Sequence, residues 1–121
     1  MGDKAGEQKE GFFEVEGIGY HFVPATLDFK EVDKWVKVKD PDTFKTARRL
    51  IREEGLLVGG SSGSNMFAAL QECRSLKKGQ NCVVIMPDGI RNYMSKFVCD
   101  EWMIEKHFME PVERQRVQPS E

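Results

Sequence analysis

The chain has 121 residues, 40% hydrophobic and 31% charged, enough for one compact domain with a modest core. Its 18 basic and 20 acidic residues are mixed along the chain and leave a net charge of −2. No basic block exists to neutralise a run of phosphates, which argues against nucleic acid as a partner. The longest apolar runs, Leu56–Val58 and Cys82–Met86, are too short to cross a bilayer, and residues 1–10 hold no apolar signal-peptide stretch. The cysteines Cys73, Cys82 and Cys99 have neither the spacing of a disulfide framework nor that of a zinc site, so no metal is expected. A reducing, cytoplasmic compartment fits that pattern.

In chain order, residues 1–10 are polar and read as a flexible leader, and 11–109 as the folded part. Residues 12–16 look strand-like and stop at Gly17-Ile18-Gly19; Tyr20 to Pro24 alternates aromatic and apolar residues. The pattern over Val32–Val38 does not choose between strand and helix. Asp40-Pro41 reads as a helix opening, with Asp40 as N-cap and proline at the first helical position. Phe44, Ala47, Leu50 and Ile51 recur at helical spacing, the Arg48 face is expected to be wet, and Gly55 closes the helix. Leu56–Val58 then has the look of a strand buried on both faces. A glycine/serine turn covers 59–64, and a second helix over 64–78 carries Met66, Ala69, Leu70, Cys73 and Leu76. Cys82–Met86 reads as the next buried strand, which makes Cys73 and Cys82 small buried hydrophobes. A polar loop follows, then a helix from Asp100 to His107, and a polar tail at 110–121. Helices alternating with short apolar runs indicate an α/β layer with parallel-sheet strands, part of a larger sheet.

Gly59-Gly60-Ser61-Ser62-Gly63-Ser64 sits where a strand turns into a helix. Glycine there permits a sharp turn and close ligand approach, and a helix N-terminus offers unpaired N–H groups. Neither this turn nor Gly17-Ile18-Gly19 completes a dinucleotide fingerprint, and Ser61 stands where a P-loop needs lysine. The turn does satisfy G-x-S-x-G, the nucleophile elbow of a serine hydrolase, with Asp88 and His107 downstream in triad order. Against that reading, only one strand separates Ser61 from Asp88, no oxyanion loop is visible, and His107 lies in a helical pattern.

Three stretches carry a family resemblance: Glu14 to Tyr20 with Phe22-Val23-Pro24, then Glu54 to Ser64, then Met86 to Phe97. In their order and spacing they resemble cystathionine β-synthase, of the fold-type-II (tryptophan synthase β-like) pyridoxal-phosphate enzymes. The glycine/serine motif is shared across that group, whereas Arg91-Asn92-Tyr93-Met94-Ser95-Lys96-Phe97 is similar to the cystathionine β-synthase wording in particular.

The resemblance implies pyridoxal 5'-phosphate as cofactor and Ser61 as the hydroxyl that meets its pyridine nitrogen. It places Gly17, Gly19 and Tyr20 on a substrate loop at the active-site mouth. It implies condensation of serine with homocysteine to cystathionine, in transsulfuration and cysteine biosynthesis, with hydrogen sulfide production as a side activity. The full-length enzyme is expected to be a homo-oligomer without membrane contact. No catalytic residue is assigned within the chain: the family carries its Schiff-base lysine upstream of this segment, and Lys96 is not it. The haem-binding extension of animal members and the regulatory C-terminal modules are not in the sequence either. The chain alone is expected to be inactive. A cysteine synthase acting on O-acetylserine, the hydrolase, and a non-catalytic interaction fragment are the alternatives.

Overall fold

A computed structural model describes residues 13–111; the expected leader, and the expected tail beyond residue 111, lie outside the described residues. Helix α1, Asp40–Glu54, buries Asp40, Thr43, Phe44, Ala47 and Leu50, the three- and four-residue spacing of one helix face. Its N-cap is Lys39, one residue earlier than expected, so Asp40 is the first helical residue. The Asp40 side chain faces inward and accepts the backbone N–H of Glu14 (2.6 Å) and Val15 (3.3 Å). Gly55 ends the helix in the left-handed region (φ 67°), its N–H on the Ile51 carbonyl, as the sequence predicts.

Helix α2, Gly60–Glu72, starts inside the glycine/serine segment rather than after it, and a 3₁₀ turn, Cys73–Ser75, continues it. Its first five residues are buried because they are small. A Cβ at Gly63 would lie 2.1 Å from the Thr43 carbonyl oxygen and 2.8 Å from the Ala47 nitrogen, so α1 and α2 meet nearly backbone to backbone. Ser64 and Thr43 share a hydroxyl–hydroxyl hydrogen bond of 2.7 Å across that contact. The apolar residues expected to bury α2, Leu70 and Leu76, are instead exposed.

The parallel sheet expected from the sequence is not present among the described residues. Leu56–Val58 and Cys82–Met86 are neither helix nor ladder, and what pairing exists is an isolated antiparallel bridge, Val58 to Gly89. A parallel strand is stable only between neighbours that satisfy both edges and cover both faces. No such neighbours stand beside these runs here, so Leu57 is 61% exposed, Val83 86% and Ile85 69%. Cys82, expected to be buried, is exposed. Val32–Val38 is likewise irregular and follows a 3₁₀ turn, Phe29–Glu31.

The core gathers around Phe44. Its ring lies 5.5 Å from Phe97, 5.3 Å from Trp102 edge-on and 5.4 Å from Phe108, with Val15, Ala47, Tyr93 and Met103 completing the cluster. Tyr93 enters it from a 3₁₀ turn, Ile90–Tyr93, and Met103 from helix α3, Asp100–Glu105. Arg48, expected on the wet face, is a strap: it donates to the carbonyls of Phe97 (3.0 Å) and Val98 (3.2 Å) and pairs with Asp100. His107 closes α3 at φ 60°; its N–H reaches the Ile104 carbonyl and that of Phe108 the Met103 carbonyl, a Schellman ending.

Candidate functional site

The site begins at Gly59, where the chain leaves the Leu56–Val58 run and enters α2. Gly59 N–H donates to the Asp88 carbonyl (3.0 Å), and Ile90 N–H returns the bond to Leu57 (3.1 Å). A Cβ on Gly59 would stand 1.9 Å from an Asp88 carboxylate oxygen and 2.9 Å from the Tyr93 ring, so only glycine fits under that loop. Tyr93 donates its hydroxyl to the Asp88 carboxylate at 2.6 Å, fixing the loop above Gly59. That bond, with burial second, pushes the Tyr93 hydroxyl up to about 12.

Ser61 lies in the first turn of α2, 6% exposed, and makes no side-chain hydrogen bond to another described residue. Ser62 is fully buried, and its hydroxyl also has no partner among the described residues. The Gly17–Tyr20 loop springs from the same corner, because Val15 lies 3.6 Å from the Cβ position of Gly60. Gly17 (φ 86°) and Gly19 (φ 73°) both occupy the left-handed region, a reason for glycine at each. Tyr20 is 59% exposed and stacks on Phe22 at 5.2 Å. Lys96 pairs with Glu16 at the root of this loop, and Lys106 with Glu14 (2.7 Å).

The structure thus brings the three stretches that carry the resemblance to one corner: 14–20 and 86–97 through Glu16 and Lys96, and 54–64 and 86–97 through Gly59 and Asp88. It does not assemble the hydrolase triad. The Asp88 carboxylate is taken by Tyr93, and His107 is an exposed helix terminator without a side-chain hydrogen bond to Ser61 or Asp88. No cluster of His, Cys, Asp or Glu able to hold a metal occurs among the described residues. No described helix is long and apolar enough to cross a membrane.

A cofactor whose aromatic nitrogen needs a neutral hydroxyl partner fits this corner. Ser61 has its hydroxyl uncommitted in the first turn of a 13-residue helix, beside a glycine with no side chain to block approach. The pyridoxal-phosphate dependent enzyme family matches residues 4–88. The chain belongs to that family. Within the pyridoxal-phosphate dependent enzymes, it is 54% identical over 107 residues to cystathionine β-synthase of Mus musculus, covering 88% of this chain and 19% of that protein. It is 41% identical over 109 residues to cysteine synthase A of Escherichia coli, covering 88% of this chain and 33% of that one. It superposes on the crystal structure of the O-acetylserine-dependent cystathionine β-synthase of Helicobacter pylori with a TM-score of 0.65, at 38% identity over 71% of this chain and 28% of that one. The fold is therefore a segment of a fold-type-II pyridoxal-phosphate enzyme, and the chain spans about a fifth of the length of the mouse enzyme.

Two residues at this corner have surroundings that the motifs do not indicate. Asp40 holds the base of the Gly17–Tyr20 loop through Glu14 and Val15, and burial, opposed by those two N–H donors, raises its carboxyl above the ordinary carboxylate value. Its spacing to Thr43, Phe44 and Ala47 was the available signal, since it puts Asp40 on the buried stripe. Ser62 carries no signal that separates it from Ser61.

Proposed function

We propose that this chain is the Ser61-bearing segment of a pyridoxal-phosphate β-replacement enzyme that condenses L-serine with L-homocysteine to cystathionine. The supporting observation is Ser61 itself: a buried residue heading α2 beside the Gly59 cradle, whose hydroxyl has no partner among the described residues. Pyridoxal phosphate, when bound, would supply an electron sink that labilises the Cα proton and the β-substituent of the amino acid. Ser61 would hold the ring nitrogen by donating its hydroxyl, a neutral partner that does not enforce protonation there. An acidic partner would protonate it and strengthen the sink, which favours transamination; the weaker sink favours loss of the β-substituent. Gly17 and Gly19 let the substrate approach the backbone, and Tyr20 contacts it at the active-site mouth. Cystathionine feeds cysteine biosynthesis, and hydrogen sulfide is the side product when cysteine replaces serine. The reaction belongs to a reducing cytoplasmic compartment and to a homo-oligomer. The 121 residues by themselves are inactive, because the family's lysine lies upstream of the matched stretch.

The test replaces the matched 107 residues of the mouse enzyme with this segment. The chimera forms cystathionine from serine and homocysteine, and Ser61→Ala lowers its turnover and shifts the cofactor absorbance. Ser61→Asp lowers turnover further. A folded, yellow chimera that used only O-acetylserine and sulfide would move the assignment to cysteine synthase, the reading that the Escherichia coli relative supports. The isolated chain stays colourless with pyridoxal phosphate; a borohydride-reducible adduct on one lysine would contradict its inactivity.

A further inference from the structure

Two thiols outside the candidate site are brought together by a chain reversal. Helix α2 runs into the Cys73–Ser75 turn, where the Cys73 carbonyl accepts Leu76 N–H at 3.1 Å. The backbone then reverses over 77–80: Gln80 N–H donates to the Lys77 carbonyl (3.0 Å), and Lys77 N–H to the Gln80 side-chain oxygen (2.7 Å). Gly79 supplies the left-handed residue at φ 90°. Further along, Asn65 on α2 donates to the Ile85 carbonyl at 2.8 Å. From Cys73 back to Asn65 is about 12 Å of helix, and Cys82 to Ile85 is about 10 Å of extended chain. The returning run therefore lies antiparallel along α2 and in step with it, with Cys82 beside Cys73. Cys82 is the neighbour that weighs most on the Cys73 thiol, and neither is in a disulfide. Cys99 stands apart, its thiol donating to the Glu101 carboxylate at 2.9 Å.

We propose that Cys73 and Cys82 form a reversible disulfide site, closed by exchange with a low-molecular-weight disulfide and fastening the run 80–86 to the end of α2. Cys82 is exposed and Cys73 half-buried, so Cys82 reacts first. Its thiolate attacks one sulfur of the small disulfide, that S–S bond breaks, and one small thiolate leaves. Cys73 then gives its proton to solvent and attacks the Cys82 sulfur, the mixed disulfide breaks, and the second small thiolate leaves. Two protein thiols are oxidised and one small disulfide is reduced to two thiols. The neighbouring Cys82 thiol, then burial, push the Cys73 thiol up, which makes ring closure the slower exchange.

The test equilibrates the intact chain with mixtures of reduced and oxidised glutathione, alkylates the remaining thiols and maps the peptides without reduction. Trypsin places Cys73 in 53–74 and Cys82 in 79–91, so the expected product is those two peptides joined, with Cys99 alkylated. Cys73→Ser should instead accumulate a glutathione adduct at Cys82. Because the two residues are close in sequence, the control repeats the equilibrium in denaturant. The native bridge should be favoured over the denatured one by about tenfold or more. Equal constants, adducts in place of a bridge, or bridges distributed onto Cys99 would each overturn the proposal. If Cys73→Ser does not fold, the comparison of native with denatured wild-type chain decides alone.

Discussion

Ser61 and Ser62 are adjacent, chemically identical and both buried, yet the fold uses them differently. Ser62 carries its hydroxyl inside without a partner among the described residues, a desolvation cost with no hydrogen bond to offset it. Ser62→Ala is therefore expected to raise stability by about 1–2 kcal/mol, read as a higher midpoint in denaturant unfolding. Tyr93 gives a second expectation. Its folded-state value of about 12 lies above the ordinary tyrosine value of 10. A group raised on folding contributes stability that is complete below its unfolded value and is lost as pH rises through the folded one. The wild-type chain should accordingly lose stability between about pH 10 and about pH 12. Tyr93→Phe should cost about 1 kcal/mol at neutral pH and flatten that alkaline slope. An unchanged slope would detach Tyr93 from Asp88. At this scale the sequence showed which residue types gather but not which way they point. Ser61 stands out only because a family motif numbers it; Ser62 is one 100° step around the helix, and the packing of α1 and the 86–93 loop decides what each step meets.

The helices were legible where an apolar stripe or a terminator marks them. Phe44, Ala47 and Leu50 with Gly55 place α1 to within a residue, and α3 starts at Asp100 as expected but ends at Glu105, two residues short of the expected His107. The start of α2 was not legible, because Gly60-Ser61-Ser62-Gly63-Ser64 has the composition of a turn. Its glycines and serines serve close packing instead: Gly63 lets α2 touch the backbone of α1 at Thr43 and Ala47. Gly63→Ala should thus destabilise by about 1–3 kcal/mol through overpacking, although alanine is the better helix former by about 1 kcal/mol. A stabilised variant in thermal unfolding would show that the helices can part without loss. The runs at 56–58 and 82–86 form no sheet among the described residues for the opposite reason. Their composition suits a buried strand, but a strand is made by its neighbours, and composition does not say where those are.

For the whole molecule, the apolar side chains those runs leave uncovered dominate behaviour in solution. Leu56, Leu57, Val83 and Ile85 are all exposed beside backbone with little pairing, a combination that favours association between chains. The isolated chain should sediment as concentration-dependent oligomers, and Val83→Lys with Ile85→Lys should shift it toward monomer. A sharp monomeric boundary for the wild type would show the exposed runs to be harmless. Elsewhere the described chain is well tied, where Lys106 meets Glu14 across 92 positions of sequence and Lys96 meets Glu16 across 80. Those pairs draw the beginning and the end of the described chain side by side. Between residues 14 and 106 the described polypeptide nearly closes on itself, so its order of synthesis could be rotated. A short linker joining residues 13 and 111, with new ends opened in the exposed 77–80 turn, would retain the Phe44 cluster, the Arg48 strap and the Gly59 cradle.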